Sequence, residues 1–224
     1  NGVRDSTIPF LISALLKNDN IFYIAKNDFE LSNIHSFLSH NFADINIFKI
    51  PAWDCLPYDI SSPNFSIVSE RIKSFSKLCF LKKNKEKKIF LTTINALITK
   101  TAPRDFYKKN FISLSNKTEH SLNTLTNFLI NTGYKRVQTV RELCEFSLRG
   151  SILDIFPIGY SKAFRIDFFG QTIETIKVMD PLTQRSSVHV ENINIYSSNE
   201  YLLSEENIEN FRKKFRSLYA NQSI

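Results

Sequence analysis

The period of the apolar residues changes partway along the chain, and this change limits the fold more than any other feature. In the first hundred residues, short continuously apolar runs alternate with helical spacing. IFYIA (21–25), IFKI (47–50) and IFLTT (89–93) read as buried strands. Between them, Phe29 to Leu38 and Val68 to Cys79 carry apolar residues three and four apart. Strands separated by helices predict βαβ units and a parallel sheet. A helix over Ile8–Leu16, capped by Ser6 or Thr7, precedes the first strand, and a short one beginning at Ile94 follows the third.

Beyond about residue 110 the pattern differs. After FISLS (111–115) and a helix over Ser121–Asn131 that ends at Gly133, strand-like runs follow one another: EFSLRG, SILDIF, FRIDFF, TIETIKVM and NINIY. Pro157, Gly159, Gly170 and the Asp180-Pro181 pair separate these runs. The sequence therefore predicts an α/β chain with a parallel-sheet domain (1–110), an α+β domain with an antiparallel sheet (111–196), and a last segment (197–224). That segment contains a helix capped at Ser204. The chain starts without a methionine and reads as a piece of something longer.

Composition excludes some functions and supports few. The net charge of +7 suits an acidic partner, but abundant Lys, Asn, Ile and Phe with only 5 Gly is also what an AT-rich genome would encode. No apolar run approaches the roughly 18 residues of a membrane span, so no membrane role is expected. Three separated cysteines, Cys55, Cys79 and Cys144, argue against a disulfide framework and fit a reducing cytoplasm. The four histidines show no metal-ligand spacing. The basic run KKNKEKK (82–88) lacks interleaved aromatics and includes Glu86, so it reads as a solvated loop rather than a phosphate track. NGVRDST, where a parallel-sheet nucleotide site would begin, keeps Gly2, Ser6 and Thr7, but Asp5 stands where such a loop needs lysine. No catalytic residue, metal or cofactor is expected in this chain. Asp154, Asp167 and Glu174 read as ion-pair partners for arginines rather than as acid–base catalysts.

The FRIDFF run carries the strongest signal. Alternation along a strand puts Ile166 and Phe168 on the core face, and Arg165, Asp167 and Phe169 together on the other. Asp167 is expected to hold Arg165, with Arg149 joining from a neighbouring strand, although Gly150 permits a bulge that leaves the face of Arg149 open. An exposed aromatic beside arginines has the composition of a protein-binding hot spot. The same pattern also suits a sheet face covered by a helix of its own domain, and periodicity alone does not choose between them.

Four stretches resemble, in order, the amino-terminal module of the transcription-repair coupling factors (the Mfd family). They are IPAWDCLPYDISSPNFSIVSERI (50–72), TTINALITKTAP (92–103), GYKRVQTV (133–140) and EFSLRGSILDIFPIG with FRIDFFGQTIETIKVMDPLTQRS (145–186). That module is similar to domains 1a, 2 and 1b of the excision-repair protein UvrB. UvrB itself keeps a phosphate-binding loop and a long aromatic hairpin after its Tyr-Asp motif, whereas here Tyr58-Asp59 runs through a short ISSPNFSIVSE into the helix containing Arg71. The resemblance implies a degenerate P-loop-like domain 1a (1–110), an inserted UvrB domain 2-like domain (111–196) and an incomplete domain 1b (197–224).

The resemblance further implies a non-catalytic head that binds UvrA through Arg149, Arg165 and Phe169, with Asp167 and Glu174 as supports. RNA polymerase, DNA and ATP would be engaged by parts of the longer family protein outside this chain. Two other readings remain open: a fragment of a UvrB-like nucleotide-dependent helicase, and a nonspecific DNA-binding module using the +7 charge.

Overall fold

A computed structural model describes residues 4–16, 19–42, 45–56, 59–81 and 87–219, with the side chain of Asp5 outside that description. The expectations placed on Gly2, on the Asp5 side chain, on Tyr58 and on residues 82–86 of the basic run fall outside the described residues. The chain forms two compact units, Asn1–Phe111 and Ile112–Ile224.

The first unit is built on a parallel sheet of β1 (Ile21–Ala25), β2 (Asn46–Ile50) and β3 (Lys88–Thr93), in the order β1-β3-β2. One face of the sheet packs against α1 (Ile8–Leu15) and α2 (Asp28–Asn41) in a core that contains Ile12, Leu31, Ile34, Leu38, Ile89 and Leu91. Asn27 starts α2 by accepting from the Glu30 amide at 2.9 Å. Thr7 does stand at the N-cap of α1, but its hydroxyl donates backwards to the Arg4 carbonyl instead of capping the helix. The helix α3 (Phe65–Cys79) buries Arg71 completely; its guanidinium stacks over Trp53 and donates to the Pro51 carbonyl at 2.8 Å. Those contacts fasten the Pro-rich loop to the helix. The unit continues with α4 (Ile94–Ile98) and α5 (Arg104–Lys109), the latter an element that the sequence pattern did not announce.

In the second unit, β4 (Phe111–Ser115) pairs with β11 (Asn192–Tyr196), and α6 (Leu122–Asn131) follows β4. Six further strands form one sheet: β5 (Lys135–Arg136), β6 (Glu145–Arg149), β7 (Ile152–Ile155), β8 (Ala163–Phe169), β9 (Thr172–Met179) and β10 (Ser186–Val190). They lie in sequence order across the sheet, antiparallel except for the short β5–β6 pair. The mixture of a parallel sheet with an antiparallel one follows the change of period at residue 110. Gly133 ends α6 as expected: its amide bonds the Ile130 carbonyl and that of Tyr134 bonds Leu129, closing the last turn. The final helix, α7 (Glu205–Tyr219), starts at Ser204, whose hydroxyl accepts from the Asn207 amide, and buries none of its residues. No described helix is long and apolar enough to cross a membrane.

Tyr134 joins three distant segments of the second unit. Its buried hydroxyl donates to the Tyr196 carbonyl at 3.0 Å and accepts from the Ile158 amide at 3.2 Å. Tyr134→Phe removes both of these buried bonds, and is expected to cost about 1–3 kcal/mol in a urea unfolding titration. An unchanged midpoint would show that these bonds do not fasten the unit.

Candidate functional site

The polar face of the six-stranded sheet takes its order from strand register. Directly opposed residues lie on the same face, so Ser147, Asp154, Arg165, Lys177 and His189 form one row across β6 to β10. The next row is Arg149, Ile152, Asp167 and Thr175. Phe169 ends the face beyond that row, opposite Thr172. Ile166 and Phe168 are buried on the reverse side, as their alternation predicts.

Both arginines converge on one carboxylate. Asp154 is only 1% exposed and lies on β7, between the strands that carry them. Arg165 grips it with two bonds, Nε to Oδ1 at 2.6 Å and Nη2 to Oδ2 at 2.9 Å. Arg149, diagonal to it in the register, donates Nη2 to Oδ2. A two-toothed arginine–carboxylate bond fixes the guanidinium plane as well as its position. Arg165 is 20% exposed and also reaches the Gln184 carbonyl at 3.3 Å, while Arg149 is 51% exposed. Hydrogen bonding to Asp154 pushes the Arg165 guanidinium still higher than its ordinary pKa.

This geometry corrects the expectation for Asp167. Its carboxylate accepts from Thr175 Oγ1 at 2.6 Å and Lys177 Nζ at 2.9 Å rather than holding Arg165 by a direct bond. Burial alone would raise the Asp167 carboxyl, but those two bonds, with the charges of Lys177 and Arg165, hold it below the usual range. Glu174 is exposed and makes no ion pair among the described residues. It is the extra residue of a β-bulge, since Asp167 opposes Thr175 while Phe168 opposes Ile173. Asp154, expected only as one ion-pair partner among three carboxylates, is the hub of both arginines. The tight Arg149-Gly-Ser-Ile152 turn contained that signal, because it sets the register that puts Asp154 beside Arg149.

Two tight hairpins bring Arg149 and Phe169 to the same end of the sheet. Gly150 and Gly170 each take a left-handed φ, +61° and +60°, at the first position of a two-residue turn. The Phe168 amide donates to the Ser151 carbonyl at 2.9 Å, tying one hairpin tip to the other strand pair. Phe169 is left 76% exposed beside this polar surface. The arrangement offers half-open guanidinium edges and an apolar ring at one end of the sheet.

The comparisons with known proteins agree in direction. Residues 112–201 match the family described as the UvrB interaction domain. The chain is 32% identical over 208 residues to the transcription-repair-coupling factor of Rickettsia bellii, covering 92% of this chain and 18% of that protein. It is 33% identical over 190 residues to that of Haemophilus influenzae, covering 85% and 16%. The factor of Staphylococcus aureus is 28% identical over 204 residues, covering 91% of this chain and 17% of that protein. The chain thus spans less than a fifth of the length of these curated relatives.

Removing the hub tests the site's construction. Asp154→Ala leaves two cations facing a buried gap and is expected to destabilise the protein by about 3–5 kcal/mol. Arg149→Ala breaks only the more exposed bond, with an expected cost of about 0–1 kcal/mol. Equal losses in denaturant titrations of the two variants would contradict the hub. In sequence and in the domain it carries, the chain belongs with the transcription-repair-coupling factors, as a segment of a protein of that family.

Proposed function

We propose that the chain is a non-catalytic docking module that imitates UvrB and recruits UvrA to stalled RNA polymerase in transcription-coupled nucleotide excision repair. One observation carries this reading. A buried aspartate holds Arg149 and Arg165 on a partly covered sheet face that ends in an exposed phenylalanine. Arginine forks suit planar carboxylates on a partner, and Phe169 supplies the apolar anchor that charged contacts lack. The match to the UvrB interaction domain over residues 112–201 covers every residue of this face.

On this reading, residues 1–110 are a degenerate P-loop-like domain 1a, 111–196 a UvrB domain 2-like insert, and 197–224 the start of domain 1b. Asp5 in place of a phosphate-binding lysine supports a head without nucleotide chemistry. RNA polymerase binding and ATP-driven movement on DNA would belong to the remainder of the family protein, and the setting would be the cytoplasm.

Binding of the chain to purified UvrA, measured by calorimetry, tests the reading. Phe169→Ala touches no buried contact, so it is expected to keep its fold by circular dichroism while losing about 2 kcal/mol of affinity, about 30-fold. Adding Arg165→Ala is expected to abolish measurable binding. Equal affinities for the wild-type chain and the folded Phe169→Ala variant would remove Phe169 from the contact.

A further inference from the structure

One aliphatic side chain interrupts the polar face of the six-stranded sheet. The row nearest Phe169 runs Arg149, Ile152, Asp167 and Thr175, and Ile152 is its single apolar member. Ile152 opposes Asp167, so Phe169, two residues further along β8, is its diagonal neighbour on the same face. Side chains on such a diagonal stand about 7–8 Å apart at the backbone, within reach when one of them is aromatic. Ile152 is half-buried and Phe169 exposed, so the two give this end of the sheet an apolar strip. Gly150, the turn residue beside them, adds no side chain, and a Cβ placed there would meet nothing within 4 Å.

Charged groups frame the strip on both sides. Across from Ile152 on β6, Arg149 bonds Asp154 through Nη2, and its other guanidinium nitrogens make no hydrogen bond among the described residues. On the β8 side the charge of Asp167 is matched by Lys177 at 2.9 Å, and Asp154 is matched by the two arginines. The donor edge left for a partner beside the strip is therefore that of Arg149. A purely apolar partner would dehydrate this edge without pairing it, which is costly. A purely acidic partner would leave the Ile152–Phe169 strip in water and forgo its burial.

We infer that Ile152 and Phe169 form one apolar subsite, and that the partner seats an apolar side chain there next to a carboxylate that takes the open edge of Arg149. This inference rests on the docking reading and makes Ile152 a specificity-determining contact within it.

Calorimetric titration of UvrA with the 224-residue chain and its Ile152 variants tests the subsite, each variant being checked for its fold by circular dichroism. Ile152→Thr keeps the branched shape and strand preference but puts a hydroxyl in the strip, and is expected to weaken binding about tenfold. Ile152→Val is expected to stay within about fourfold of the wild type, the loss of one buried CH₂. Joining Ile152→Thr to Phe169→Ala is expected to weaken binding by less than the product of the two separate effects, because both line one subsite. Ile152→Glu sets a carboxylate against the partner's own and is expected to bind more weakly than Ile152→Lys. Equal affinities for the lysine and glutamate variants, or the reverse order, overturn the acidic partner. Wild-type affinity in the folded threonine variant, with Phe169→Ala still weakened, overturns the subsite and leaves the docking reading standing. No binding by the wild-type chain overturns the docking reading and this inference with it.

Discussion

The polar face of the antiparallel sheet is organised around the Asp154 carboxylate. A buried carboxylate carries a desolvation cost that a single flexible cation offsets poorly, but here guanidiniums from the strands on both sides meet it. The stability gained by such a cluster is small compared with replacing it by apolar residues; its physical effect is positional. With Arg165 bound at two atoms and Arg149 at one, the two forks have little freedom left to lose when a partner arrives. Asp167 extends the same logic one row further, occupied by Thr175 and Lys177 and so unavailable to loosen the arginine grip.

Backbone geometry completes the surface. The left-handed turns at Gly150 and Gly170 let two strand pairs reverse within two residues, which brings Arg149 and Phe169 to one end of the sheet. The bulge at Glu174 absorbs an extra residue so that Ile173 and Ile176, three apart, both stay in the core. An exposed phenylalanine on such a support is held by its strand rather than by its own packing, which suits a contact residue.

Much of this was legible in the sequence. The central strand β3 is shielded on both faces, as its apolar run predicts, whereas the edge strand β1 is as apolar but leaves Phe22 and Ile24 exposed, so IFYIA is not the fully buried strand its composition suggests; the change to turn-punctuated strands marks the second unit. FRIDFF shows its two faces by simple alternation, so Phe169 was readable as an outward residue. What one strand cannot show is its neighbour. Asp167 is the carboxylate nearest Arg165 in sequence, whereas the true partner, Asp154, is eleven residues away and directly opposite in the register. The TIETI spacing did carry the bulge, as two core isoleucines three apart cannot lie on one face of an unbroken strand.

A face that stands in for UvrB, as proposed, must compete with UvrB for UvrA. A preformed complex of the chain with UvrA, separated by size-exclusion chromatography, would be titrated with UvrB. The account predicts that UvrB displaces the chain as it saturates UvrA, with the two never eluting together on one UvrA site. A stable complex holding UvrA, UvrB and the chain at full occupancy would contradict it.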